Sequence, residues 1–100
     1  MRTPDPSEWP AATAYFAYYA EGRFDEASQL QYIYPVDEAR LSDDGQALFI
    51  GRPGADLMEF GYRVDAPGIW VWYPIEQKWR KVADDVYALD RDWLSGALRV

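Results

Sequence analysis

The chain contains no cysteine and no histidine. Without cysteine there is no disulfide to brace the fold and no thiolate to serve as nucleophile or zinc ligand. Without histidine the commonest general base near neutral pH is missing, and serine and threonine have no imidazole to activate them. Transition-metal sites of the familiar kinds are excluded by the same two absences, so no cofactor is expected. No apolar run approaches a membrane span, and residues 1–10 are polar and proline-rich rather than a signal peptide. A soluble, cytoplasmic chain with no membrane contact is expected. Basic residues are scarce, 10 Lys and Arg against 17 Asp and Glu, for a net charge of −7. Because phosphate contacts dominate affinity for nucleic acid, this balance disfavours nucleic acid as a partner. It favours encounter with a basic protein, although mild acidity also serves solubility.

What the sequence has in quantity is aromatic residues: 5 Trp and 8 Tyr among 100 residues. That length makes one domain, 1–100, with residues 1–6 as a loose arm. The densest aromatic stretch is Ile69-Trp70-Val71-Trp72-Tyr73, a β-strand by composition, bounded by Pro67-Gly68 and Pro74. Before it, Met58, Phe60, Tyr62 and Val64 alternate with Glu59, Gly61 and Arg63, the period of a half-buried strand. The two make a hairpin, for which Ala66-Pro67-Gly68-Ile69 offers a type II turn. Pairing Val64 with Ile69 places Tyr62 opposite Val71, Phe60 opposite Tyr73, Arg63 opposite Trp70 and Gly61 opposite Trp72. One face then carries Phe60, Tyr62, Val64, Ile69, Val71 and Tyr73 and is core. The other carries Glu59, Gly61, Arg63, Trp70 and Trp72, where Arg63 can stack on Trp70. Periodicity leaves open whether helices cover this second face or a partner does.

Elsewhere, Ala12, Tyr15, Phe16, Tyr19 and Ala20 recur at helical spacing, behind a cap at Ser7 or Trp9 and ending at Gly22. Arg23 to Gln29 reads as a polar connection or a short helical turn. Leu30 to Tyr34 reads as a strand, Val36 to Leu41 as one helical turn, Ser42-Asp43-Asp44-Gly45 as a turn, and Gln46 to Ile50 as a strand. Lys78 to Ala83 forms another strand. A last helix, capped by Asp84 or Asp85, buries Val86, Leu89, Trp93, Ala97 and Val100 and frays after Gly96. The sum is an α+β fold with a central, mostly antiparallel sheet of about five strands between an N-terminal and a C-terminal helix.

Several familiar chemistries fit these residues poorly. Asp43-Asp44-Gly45 lacks the alternating ligands and final Glu of a calcium loop. Gly51-Arg52-Pro53-Gly54 lacks the Lys-Ser/Thr of a phosphate cradle. Asp56 with Glu59, or Asp84 with Asp85, form carboxylate pairs, yet the first read more simply as loop and solvent-face residues and the second as helix caps. The tryptophans of the second face are the stronger candidates, because Trp, Tyr and Arg anchor interfaces.

The order of these features resembles the SUKH superfamily of Smi/Knr-like domains: an aromatic helix ending at Gly22, then Tyr32-Ile33-Tyr34-Pro35-Val36-Asp37-Glu38-Ala39, then Leu48-Phe49-Ile50-Gly51 with Gly54 and Asp56, the hairpin, and Val82-Ala83-Asp84-Asp85-Val86 with Leu89, Trp93, Leu94 and Gly96. The likeness runs over most of Tyr15 to Gly96, and its best steps are Ile50-Gly51 and Val82-Ala83. Glu21-Gly22 departs from the Asn-Gly or Gly-Gly usual in that family, and the N-terminal helical part is shorter. The resemblance implies a non-catalytic module and, in bacteria, an immunity protein that neutralises a toxin domain. The partner-binding set expected on charge, the hairpin face and this resemblance is Asp43, Asp44, Asp56, Glu59, Arg63, Trp70 and Trp72, against a basic toxin domain. A small-ligand or carboxylate-dependent enzyme domain and a structural homodimer are the alternatives.

Overall fold

Alternating side chains and closely spaced turns produce an antiparallel meander, and the structure, a computed structural model, describes it over residues 4–54 and 57–98. The expectations for Asp56 and Val100 fall outside those residues. The strands are β1 (Arg23–Asp25), β2 (Leu30–Ile33), β3 (Arg40–Leu41), β4 (Ala47–Gly51), β5 (Glu59–Arg63), β6 (Ala66–Tyr73) and β7 (Lys78–Ala83). Among the described residues they form one sheet in the order β1-β2-β4-β5-β6-β7, with β3 also on β4, and every pair is antiparallel. Two helices, α1 (Thr13–Tyr18) and α2 (Val86–Ser95), lie near the two ends of the chain. This is the expected α+β architecture, enlarged by β1 and β3.

The central hairpin pairs differently from the Val64–Ile69 expectation. Phe60 faces Val71, Gly61 faces Trp70, Glu59 faces Trp72 and Arg63 faces Ala66, so Val64 and Asp65 make the turn. Pro67 and Gly68, which read as a turn, belong to β6. Gly68 has φ +97, and a Cβ there would lie 2.8 Å from the Ala83 carbonyl oxygen, so the irregular strand needs glycine at this point. The pairing is displaced by two residues, and an even slip leaves each side chain on its own face. Phe60, Tyr62, Ile69 and Val71 are accordingly buried as expected, whereas Val64, now in the turn, is 56% exposed.

Both helices are shorter than their apolar periodicity suggests. Two 3-10 turns, Pro6–Glu8 and Pro10–Ala12, precede α1; Asp5 caps the first, its carboxylate accepting from the Ser7 amide at 3.0 Å, and Trp9, one of the two expected caps, stands at the N-cap of the second without a side-chain cap bond. Trp9 is also a buried core residue. α1 stops at Tyr18, and Gly22 sits in the following turn rather than at the helix end. A run of aromatics loses side-chain freedom in a helix, which weakens continuation. In α2, Asp85 caps as expected, accepting from the Ala88 amide at 2.8 Å. Gly96 closes that helix in the left-handed conformation, φ 78, so the apolar stripe stops short of Ala97, which is exposed. The helical turn read over Val36 to Leu41 is a 3-10 turn only at Val36–Glu38. Ala39 returns to extended backbone and releases Arg40 into β3.

The core lies between the helices and one face of the sheet. Tyr15, Tyr32, Leu48, Ile50, Phe60, Ile69, Val71, Val86 and Leu89 are fully buried there, each contributing roughly 1.5–3 kcal/mol for an aliphatic or phenyl side chain. Asp90 is buried among them, accepting hydrogen bonds from the Tyr32 hydroxyl at 2.6 Å and the Tyr19 hydroxyl at 3.1 Å, with Arg23 3.6 Å away. Trp93 stacks on Tyr32 at 5.0 Å and donates to Asp25 at 2.9 Å. No helix among the described residues is long and apolar enough to cross a membrane.

Candidate functional site on the outer sheet face

Strand parity sets the second face row by row. Phe49 of β4, Gly61 of β5, Trp70 of β6 and Lys81 of β7 are successive neighbours, and beside them run Glu59, Trp72 and Trp79. β3 brings Arg40 opposite Phe49, and Arg63 lies opposite Ala47. Gly61 has no side chain to fill the middle of this surface, so large neighbours lean over it.

Those neighbours bury one another. Trp79 stacks with Phe49 at 5.9 Å and meets Trp72 at 5.1 Å. The Arg63 guanidinium lies over Trp70 at 4.9 Å and over Trp79 at 5.3 Å, and that of Arg40 lies over Phe49 at 5.0 Å. The stacking of Arg63 on Trp70 is as expected from the sequence. Trp70, Trp72 and Trp79 remain half-buried and stand outside the hydrophobic core that the helices cover. The helices pack on the opposite face, which answers the question that periodicity left open.

Charges on this face are partly spoken for. Arg40 grips Glu59 in a two-pronged ion pair, and the Tyr34 hydroxyl donates to the same carboxylate at 3.0 Å. Burial, and then the Glu59 charge, push the Tyr34 hydroxyl up to about 12. Glu59 therefore serves the fold more than it faces solvent. Lys81, the cation of β7 that parity places on this side, is 3.2 Å from Asp84. Arg63 has no carboxylate partner among the described residues.

The acidic rim comes from two turns at one end of the sheet. The β3–β4 and β5–β6 turns lie side by side because β4 and β5 are neighbours, and the Val64 amide donates to the Gln46 carbonyl at 3.0 Å. The first turn supplies Asp43 and Asp44, the second Asp65. Asp44 accepts from the Ser42 hydroxyl at 2.6 Å and the Gln46 amide at 3.0 Å, which hold its carboxyl below the usual carboxylate range. Asp43 and Asp65 are exposed and make no such bonds among the described residues. Between rim and aromatics is a groove of about 570 Å³, lined by Asp43, Asp44, Asp65, Arg63, Trp72 and Trp79 among others, within the size range of ligand clefts.

Of the residues singled out from sequence, Asp43, Asp44, Arg63 and Trp72 thus line one groove. Trp70 lies under the Arg63 guanidinium and does not line the groove, Glu59 is held by Arg40, and Asp56 lies outside the described residues. Trp79, Phe49, Arg40 and Asp65 went unrecognised. Trp79 was legible in principle, since it follows Trp72 across a short hairpin at the spacing that puts both on one face. Arg40 was hidden by reading its segment as helical. The other carboxylate pair is dispersed: Asp85 caps α2, while Asp84 is exposed beside Lys81. A scan against family models and searches of curated proteins and of solved structures return no match for this chain.

Proposed function

We propose that this chain is a non-catalytic, cytoplasmic protein-binding module of the immunity type, which neutralises a basic toxin domain through the outer face of its sheet. The observation that carries the reading is the aromatic face that the helices leave uncovered: three half-buried tryptophans, two of them lining a groove with an acidic rim, and an arginine without an ion-pair partner among the described residues. Tryptophan anchors protein interfaces because it presents a large, rigid area at low entropic cost, arginine because its planar guanidinium both stacks and donates several hydrogen bonds, and an acidic rim steers a basic partner. The likeness of the residue order to the SUKH superfamily points the same way. The face has the ingredients for binding without the histidine, cysteine or open carboxylate pair that turnover would draw on.

The test is whether a toxin domain is encoded beside this chain's gene and whether the chain protects growth against it; an isolated locus would weaken the reading. Co-expression of the wild-type protein is expected to restore growth. Trp72→Ala and Asp43→Lys are expected to lose protection while remaining folded by circular dichroism. Asp43 is preferred to Asp44, whose carboxylate holds its own turn. Full protection by both variants would place the interface elsewhere.

A further inference from the structure

The groove runs from the acidic turns to the tryptophans. Asp65, just before β6, and Trp72, near its end, both line it, and the strand between them spans roughly 20 Å at the rise of an extended chain. Its ends differ, with free carboxylates of Asp43 and Asp65 at one and the tilted pair Trp72 and Trp79 at the other. Among the described residues no set of carboxylates gathers closely enough to hold a metal ion. The negative charge is spread along a wall instead of focused on a point.

The face already shows which charge it takes. Arg63 rests on two indole rings and forms no ion pair among the described residues, and Arg40 rests on Phe49. Ring faces carry the negative side of the aromatic quadrupole, so such a surface attracts guanidinium groups. An anionic segment would meet Asp43, Asp44 and Asp65, would find Arg40 taken by Glu59 and Lys81 beside Asp84, and would have only Arg63, laid across Trp70 and Trp79, to set against those three carboxylates.

We infer that the occupant of this groove is an extended segment of the partner carrying a run of arginines at alternate positions, the first laid on the Trp72/Trp79 end and another, about six residues on, set against Asp43 and Asp65. Alternate residues of an extended chain point to the same side, so this spacing turns their guanidinium groups toward the groove. The inference rests on the protein-binding reading above and names what that surface recognises.

The probe is a short capped peptide alternating arginine and threonine, titrated against the whole protein and followed by tryptophan fluorescence. Saturable binding is expected, weakening as salt rises. The same peptide with citrulline in place of arginine, equal in shape but uncharged, is expected to bind about fivefold or more weakly. The double variant Asp43→Asn/Asp65→Asn should lose a similar factor for the arginine peptide and none for the citrulline one. Trp72→Ala should lose most binding of both, with its circular dichroism unchanged. Equal binding of the two peptides, tighter binding of a glutamate counterpart, or no saturable binding at all would overturn the inference. If the arginine peptide fails to bind while Trp72→Ala abolishes toxin protection, the face is an interface but its preference for arginine is wrong. If the peptide binds while Trp72→Ala still protects, the cation-binding groove stands and the toxin-neutralising reading falls.

Discussion

The two faces of the one sheet are built from similar numbers of aromatic residues yet dispose of them in opposite ways. On the inner face Tyr32, Phe60 and Tyr62 are sealed beneath the helices, with Tyr15 of α1 packed into the same core, and the buried polar atoms are paired within, as where Tyr19 and Tyr32 donate to Asp90. On the outer face Phe49, Trp70, Trp72 and Trp79 have no helix of the described residues above them and shield each other, with Arg40 and Arg63 laid across the rings. Covering an aromatic face contributes stability, while leaving one open keeps its binding potential unspent. Stability should therefore reside mostly on the inner face and recognition on the outer.

That division can be tested in order of expected size. Phe60→Ala removes a fully buried ring that meets Trp93 edge-on, and should cost about 3–5 kcal/mol by urea unfolding. Trp79→Ala deletes a larger ring that is only half-buried and should cost about 2 kcal/mol, since Phe49, Trp72 and Arg63 lose one neighbour each but water already reaches the site. A loss equal to that of Phe60→Ala would mean that the outer face is a second core.

A third test uses pH at the boundary between the faces. Tyr34 donates to Glu59, and its hydroxyl stands at about 12 against an ordinary value of 10. A raised value in the fold means that the folded protein holds this proton more tightly than the unfolded chain does. Its stabilising contribution is present in full below pH 10 and is lost as pH rises from about 10 toward 12. Urea unfolding at stepped alkaline pH should show that decline, and Tyr34→Phe should flatten part of it. The smallest effect is expected at the rim, where Asp43→Asn and Asp65→Asn should each change stability by less than about 0.5 kcal/mol. A larger change at either position would make it a structural residue and weaken its assignment to recognition.

The sequence was most informative where period and face coincide. Alternation in Met58 to Val64 and Ile69 to Tyr73 assigned Phe60, Tyr62, Ile69 and Val71 to the core despite a wrong register, because a two-residue slip preserves parity. The register itself was obscured by Pro67-Gly68, whose turn-like chemistry serves an irregular strand packed against Ala83. Helix lengths were overestimated where apolar spacing ran past the last hydrogen-bonded turn, at Tyr18 and at Gly96. Asp90 was not foreseen in the core, since burial of a carboxylate depends on Tyr19, Tyr32 and Arg23, which are distant in sequence. The groove was half legible for the same reason. Its tryptophans announce themselves by composition, whereas the meeting of Asp43 with Asp65 follows only from β4 lying beside β5.

The central claim, that the outer aromatic face is open surface while the inner one is core, is tested most directly by hydroxyl-radical labelling read out tryptophan by tryptophan in the native protein. Trp72 and Trp79 are expected to label readily and Trp9, buried beside α1, to stay protected until the protein unfolds. Protection of Trp72 and Trp79 equal to that of Trp9 would contradict the claim.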